Sequence, residues 1–100
     1  MGSLVSDIYK RAIERFGEMA QTDILIEEMS ELTKAIIKNR RKPSERTKRD
    51  ILEEMADVQI MLDQMALIFG DSRVFRAEKI IRLENRMDEI EEKERVLKEC

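Results

Sequence analysis

Residues 44–70 read SERTKRDILEEMADVQIMLDQMALIFG, and within them Ile51, Met55, Val58, Leu62, Met65 and Phe69 recur at steps of 4, 3, 4, 3 and 4. Such steps follow one side of an α-helix and neither face of a strand. Ser44 or Thr47 can open this helix by accepting from free backbone N–H groups, and Gly70 can end it. Upstream, Leu25, Met29, Leu32 and Ile36 keep steps of 4, 3 and 4 behind Thr22 or Asp23, either of which can cap a helix. That stripe runs out at Asn39-Arg40-Arg41-Lys42-Pro43. Cations suit a helix C-terminus there, and the proline biases its predecessor away from helical geometry. A connection this short predicts two long helices folded back on each other.

The same reading extends to both ends. Val5, Ile8, Ile13 and Phe16 predict a first helix over about residues 3–16, stopped by Gly17. Asp71 or Ser72 caps a fourth helix from about residue 73, with Ile80, Leu83, Met87, Ile90 and Leu97 in its stripe and Glu94 interrupting the seam. No solenoid-length repeat, low-complexity stretch or interdomain linker divides the chain. The fold class is therefore all-α, with residues 1–100 as one domain of four helices. A chain of 100 residues that is 42% hydrophobic carries more apolar stripe than four slim helices can hide, so we expect a bundle completed by homo-oligomerisation.

Composition excludes several function classes. A net charge of -3 with both signs interspersed lacks the basic surface of a general nucleic-acid binder, so no nucleic acid is expected as partner. Apolar runs are far too short for a membrane span and the start lacks a signal-peptide layout, which points to a cytoplasmic protein with no membrane partner. One cysteine, Cys100, and no histidine rule out an internal disulfide, a His/Cys zinc site and His-based triad chemistry.

Acidic residues carry the remaining signal. Residues three apart share a helix side, so Glu28 with Glu31 and Glu54 with Asp57 each form a local carboxylate pair. Spacing alone means little: 22 acids in 100 residues produce roughly five such pairs by chance, and the sequence has six. Register separates these two pairs from the others. In an antiparallel hairpin, facing residues have numbers with a constant total, and Glu31 with Glu54 and Glu28 with Asp57 both total 85. That total places the turn at Lys42-Pro43, where proline and cations already place it. Both pairs are also interleaved with stripe residues, so they border the core.

Four carboxylates crowded near a low-dielectric core repel one another unless a cation or protons compensate. All-oxygen ligation selects a hard ion, magnesium or else manganese, rather than calcium with its larger ligand set. Salt bridges to Lys34, Lys38, Arg49 or the fourth helix are the other reading, and spacing leaves both open.

Glu27-Glu28-Met29-Ser30-Glu31, followed after 22 residues by Glu54-Met55-Ala56-Asp57, resembles the EExxE and ExxD motif of the MazG-like, all-α nucleotide pyrophosphohydrolases. The likeness extends over residues 26–32 and 53–69, about half the chain counting the segment between. It implies a four-helix MazG-like bundle shared between subunits, as a homotetramer built as a dimer of dimers or as a dimer. The implied activity splits a nucleoside triphosphate, ribo- or deoxyribo-, into a monophosphate and pyrophosphate in nucleotide-pool housecleaning. Carried over by residue, the resemblance makes Glu28, Glu31, Glu54 and Asp57 magnesium ligands. Glu27 becomes a water-orienting residue, and Glu27, Glu28 and Glu31 the candidates to accept the water's proton. Glu53 matches no required position and reads as a solvent-facing acid.

Phosphates also need cations from the protein. Lys34 and Lys38 lie one and two turns past Glu31, and Lys79 and Arg82 follow helical spacing on the fourth helix. Gln21 stands where related proteins place a base-contacting polar residue. Within the same superfamily, phosphoribosyl-ATP pyrophosphatase is the alternative activity. From another class, the heptad-like third and fourth helices suit a non-catalytic oligomerisation module.

Overall fold

The computed structural model describes residues 3–100, and all of their regular secondary structure is helical: α1 (Leu4–Phe16), α2 (Glu18–Arg41), α3 (Glu45–Phe69) and α4 (Arg73–Glu99). These fall into two compact units, one ending at Gly70 and one from Asp71 to Cys100. None of the described helices is long and apolar enough to cross a membrane.

In the first unit, α2 and α3 form the expected antiparallel hairpin and α1 packs on both. Ser3 caps α1 by accepting from the Ser6 backbone N–H at 3.0 Å. Gly17 then turns the chain at φ 95, a left-handed value that favours glycine, and α2 starts at once at Glu18. This corrects the start expected at Thr22 or Asp23. Thr22 lies inside the helix, its hydroxyl donating to the Glu18 carbonyl at 2.8 Å, because the glycine redirects the chain without a side-chain cap. At the far end the α2–α3 turn is tied twice. Ser44 and Thr47 form a reciprocal capping box with bonds of 3.0 and 2.9 Å, and the Thr47 hydroxyl donates to Asn39 Oδ1 of α2 at 2.7 Å.

The seam between α2 and α3 follows a different row from the predicted one. Leu25 and Leu32 of α2, and Ile51, Val58 and Met65 of α3, face inward as their spacing requires. The alternate places, however, are taken by Glu28 and Ala35, and by Glu54, Met61 and Ile68, each one residue before the apolar residue expected there. Met29, Ile36, Met55, Leu62 and Phe69 stay exposed instead. Each helix carries two adjacent rows, and the hairpin buries the more polar one. Likewise α1 turns Ser6, Tyr9, Ala12 and Ile13 inward, while Val5, Ile8 and Phe16 remain outside.

The result is a thin core in which Ala35 and Met61 are the buried apolar residues, with Gln21 and Gln64 as buried polar ones. Three polar layers interrupt the seam. Gln21 donates to Gln64 at 2.7 Å near one end, Asn39 meets Thr47 at the other, and the acids lie between. In the end layers donors meet acceptors; the middle layer contains carboxylates alone.

The second unit is α4 with its cap. Asp71 Oδ1 accepts from the Arg73 backbone N–H at 2.8 Å, so Asp71 rather than Ser72 supplies the cap bond. No residue of α4 is buried. Near its end Arg95 bridges Glu92 and Glu99, pairs one turn away on either side.

Candidate metal centre

Gln21 and Gln64 also total 85, so their bond shows the hairpin lying in the register deduced from the acids. The same register brings carboxylate oxygens of Glu28, Glu54 and Asp57 within 4.8 Å of one another. Glu28 and Glu54 are half-buried in the seam and Asp57 opens to solvent. Glu54 Oε2 is shielded from solvent and has no hydrogen-bond partner. Partial burial pushes the Glu28 carboxyl up, and the charges of Asp57 and then Glu54 push it the same way.

This arrangement fits a hard cation. The donors are all carboxylate oxygens, one is orphaned, and none of the three acids forms an ion pair among the described residues. Glu28, Glu54 and Asp57 could hold such a cation, leaving several positions for water and substrate.

Glu31 stands apart from this trio. Half-buried, it pairs with Lys34 at 3.4 Å, an exposed interaction of the kind that contributes little. Yet Glu31, Lys34, Lys38 and Glu54 line one cavity of about 150 Å³, together with Ala35 and Asp50. Glu31 therefore borders Glu54 from the other side. Asp50, which the sequence reading did not single out, is half-buried one turn before Glu54. Its signal was available: it shares a helix side with Glu54 and totals 85 with Ala35.

The other expected site residues are placed variously. Glu27 is exposed beside Glu28. Glu53 is exposed and pairs with Arg49 at 3.7 Å, consistent with a solvent-facing acid. Gln21 is buried against Gln64, two turns before Glu28, and its Oε1 lacks a partner. Lys79 and Arg82 are exposed on α4 and belong to the second unit.

Compared with known proteins, the chain matches no protein-family model, no curated protein and no solved structure.

Proposed function

We propose that this chain is a magnesium-dependent, MazG-like nucleoside triphosphate pyrophosphohydrolase that works as a homo-oligomer, a dimer or a dimer of dimers. The observation that carries the reading is the middle polar layer, where Glu28, Glu54 and Asp57 meet without a donor and Glu54 keeps an unpartnered, shielded oxygen. A divalent cation held there, magnesium or manganese, neutralises phosphate oxygens and stabilises the leaving pyrophosphate.

The chain's own residues divide the remaining work. Glu28, Glu54 and Asp57 bind the ion, and Glu31 joins them on giving up its exposed pair with Lys34. That exchange frees Lys34 to meet a phosphate beside Lys38, which lines the same cavity. Glu28, whose carboxyl is pushed above the ordinary glutamate range in the metal-free chain, is the first candidate to accept a proton from the attacking water. Glu31 is the second candidate for that proton, and Glu27 is assigned to orient the water. On α4, Lys79 and Arg82 are the cations assigned to phosphate. With its Nε2 bonded to Gln64, Gln21 has its unpartnered, solvent-shielded Oε1 left to accept from a base.

A cavity of about 150 Å³ is smaller than the roughly 300–1,000 Å³ typical of small-molecule sites. The proposal therefore includes a second copy that completes the site, in keeping with the apolar row left exposed on the hairpin. The test is to incubate the protein with magnesium, manganese or calcium and a panel of ribo-, deoxyribo- and modified triphosphates, with phosphoribosyl-ATP alongside, and to measure pyrophosphate. Magnesium-dependent release from at least one triphosphate is expected. Release from phosphoribosyl-ATP alone moves the substrate assignment, and no release from any compound leaves the non-catalytic module.

A further inference from the structure

Helix α4 is electrically lopsided. Residues 73–86 hold five cations against two acids, and residues 87–99 hold six acids against three cations. Along it Ile80, Leu83, Met87 and Ile90 form an apolar seam at steps of 3, 4 and 3, with Arg76 and Glu94 in line at its two ends. The four apolar residues are between 46% and 58% exposed. Neither Arg76 nor Glu94 forms an ion pair among the described residues.

We propose that α4 pairs antiparallel with α4 of a second copy, in the register whose facing residue numbers total 170. Ile80 then meets Ile90, Leu83 meets Met87, and Arg76 meets Glu94 at both ends of a two-fold seam. Away from the centre, the basic residues 73–83 lie on the mainly acidic residues 87–97. The glutamate that interrupts the apolar row is thus answered by the arginine at the mirrored place.

Competing registers leave a seam charge unmatched. A shift of one heptad sets Glu94 on Leu83 in one direction and Arg76 on Met87 in the other. Parallel pairing stacks Glu94 on Glu94 and Arg76 on Arg76. Flanking charges weigh the other way, because the antiparallel register sets Glu84 near Glu84 and Arg86 near Arg86. Those flanks stay in water, where like or unlike pairs change little, whereas a charge in the seam loses its hydration and needs a partner. The matched seam decides the orientation. This pairing is independent of the pyrophosphohydrolase reading, since a chain without activity pairs equally well.

The experiment combines sedimentation equilibrium of the full chain with the distance between spin labels on the native Cys100. Pairing centred on residue 85 separates the two Cys100 residues by about 45 Å along the helix axis, whereas a parallel pair holds them within about 20 Å. Arg76→Glu or Glu94→Arg alone should weaken association roughly tenfold or more, and the double reversal should return it to within about threefold of the native value. Four results overturn the proposal: a monomer at every concentration, labels within about 20 Å, single reversals without effect, or a double reversal without recovery. The label distance needs no seam substitution, so the proposal is tested even if the reversed variants fold poorly.

Discussion

Glu54 and Glu28 occupy places in the α2–α3 seam where a methionine stands one residue later on each helix. The carboxylates gain no hydrogen-bond donor for being there, so the layer is costly in the free protein and suited to an ion. We expect Asp57→Asn or Glu31→Gln to lower pyrophosphate release by about 100-fold or more with far-UV circular dichroism unchanged. Glu53→Gln, on an exposed pair, should stay within about twofold. The raised Glu28 carboxyl gives a pH dependence whose sign follows from linkage. The folded chain holds this proton to higher pH than the unfolded chain does, so unfolding releases it and metal-free stability falls as pH rises from the ordinary glutamate range through the raised value. Melting temperatures measured without metal should show that fall, and Glu28→Gln should flatten it. Magnesium should also flatten it while raising the melting temperature, because the bound ion favours the charged carboxylate. At this scale the candidate site was legible through register in part: the shared total brought Glu28, Glu54 and Asp57 together, while Glu31 turned to Lys34 instead of joining them. Asp50 and Gln64 were equally accessible to that rule, but neither lies in a motif that draws attention to it.

Within the elements, boundaries depend on a few chemical groups. Ser44 and Thr47 close each other's free backbone bonds, and Thr47 reaches across to Asn39, so cap and interhelical latch are one feature. Ser44→Ala should cost about 1 kcal/mol in urea unfolding, and Thr47→Val more, because it also strips Asn39 of its partner. Gly17 and Gly70 take positive φ with open space where a Cβ would stand. Alanine at either position should therefore destabilise through backbone strain alone, by about 1–3 kcal/mol. Helix type and length were legible here from steps of 3 and 4. The start of α2 was not, since Thr22 can cap in principle and only the bend at Gly17 puts it inside the helix. The buried row was also hidden, because a row at steps of 4 and 3 and its neighbour one residue away satisfy the same periodicity.

For the whole molecule, the exposed row of Met29, Ile36, Met55, Leu62 and Phe69 is the main consequence of that choice. A hairpin that buries its polar row and leaves its apolar row in water has surface to spare for another copy. Met55→Lys should lower the oligomer mass seen by light scattering at micromolar concentration and reduce activity with it, while helix content is kept. A variant with unchanged mass would place the subunit contact elsewhere. The amino-acid sequence by itself determined four helices, the turn at Lys42-Pro43 and the register that levels the acids, because periodicity and turn chemistry are local and chain reversal fixes a constant total. Only the tertiary structure decided which of two neighbouring rows enters the seam, because that depends on how side chains from both helices satisfy one another. Gln21 found Gln64 and Asn39 found Thr47, while Glu28, Glu54 and Asp57 found only each other.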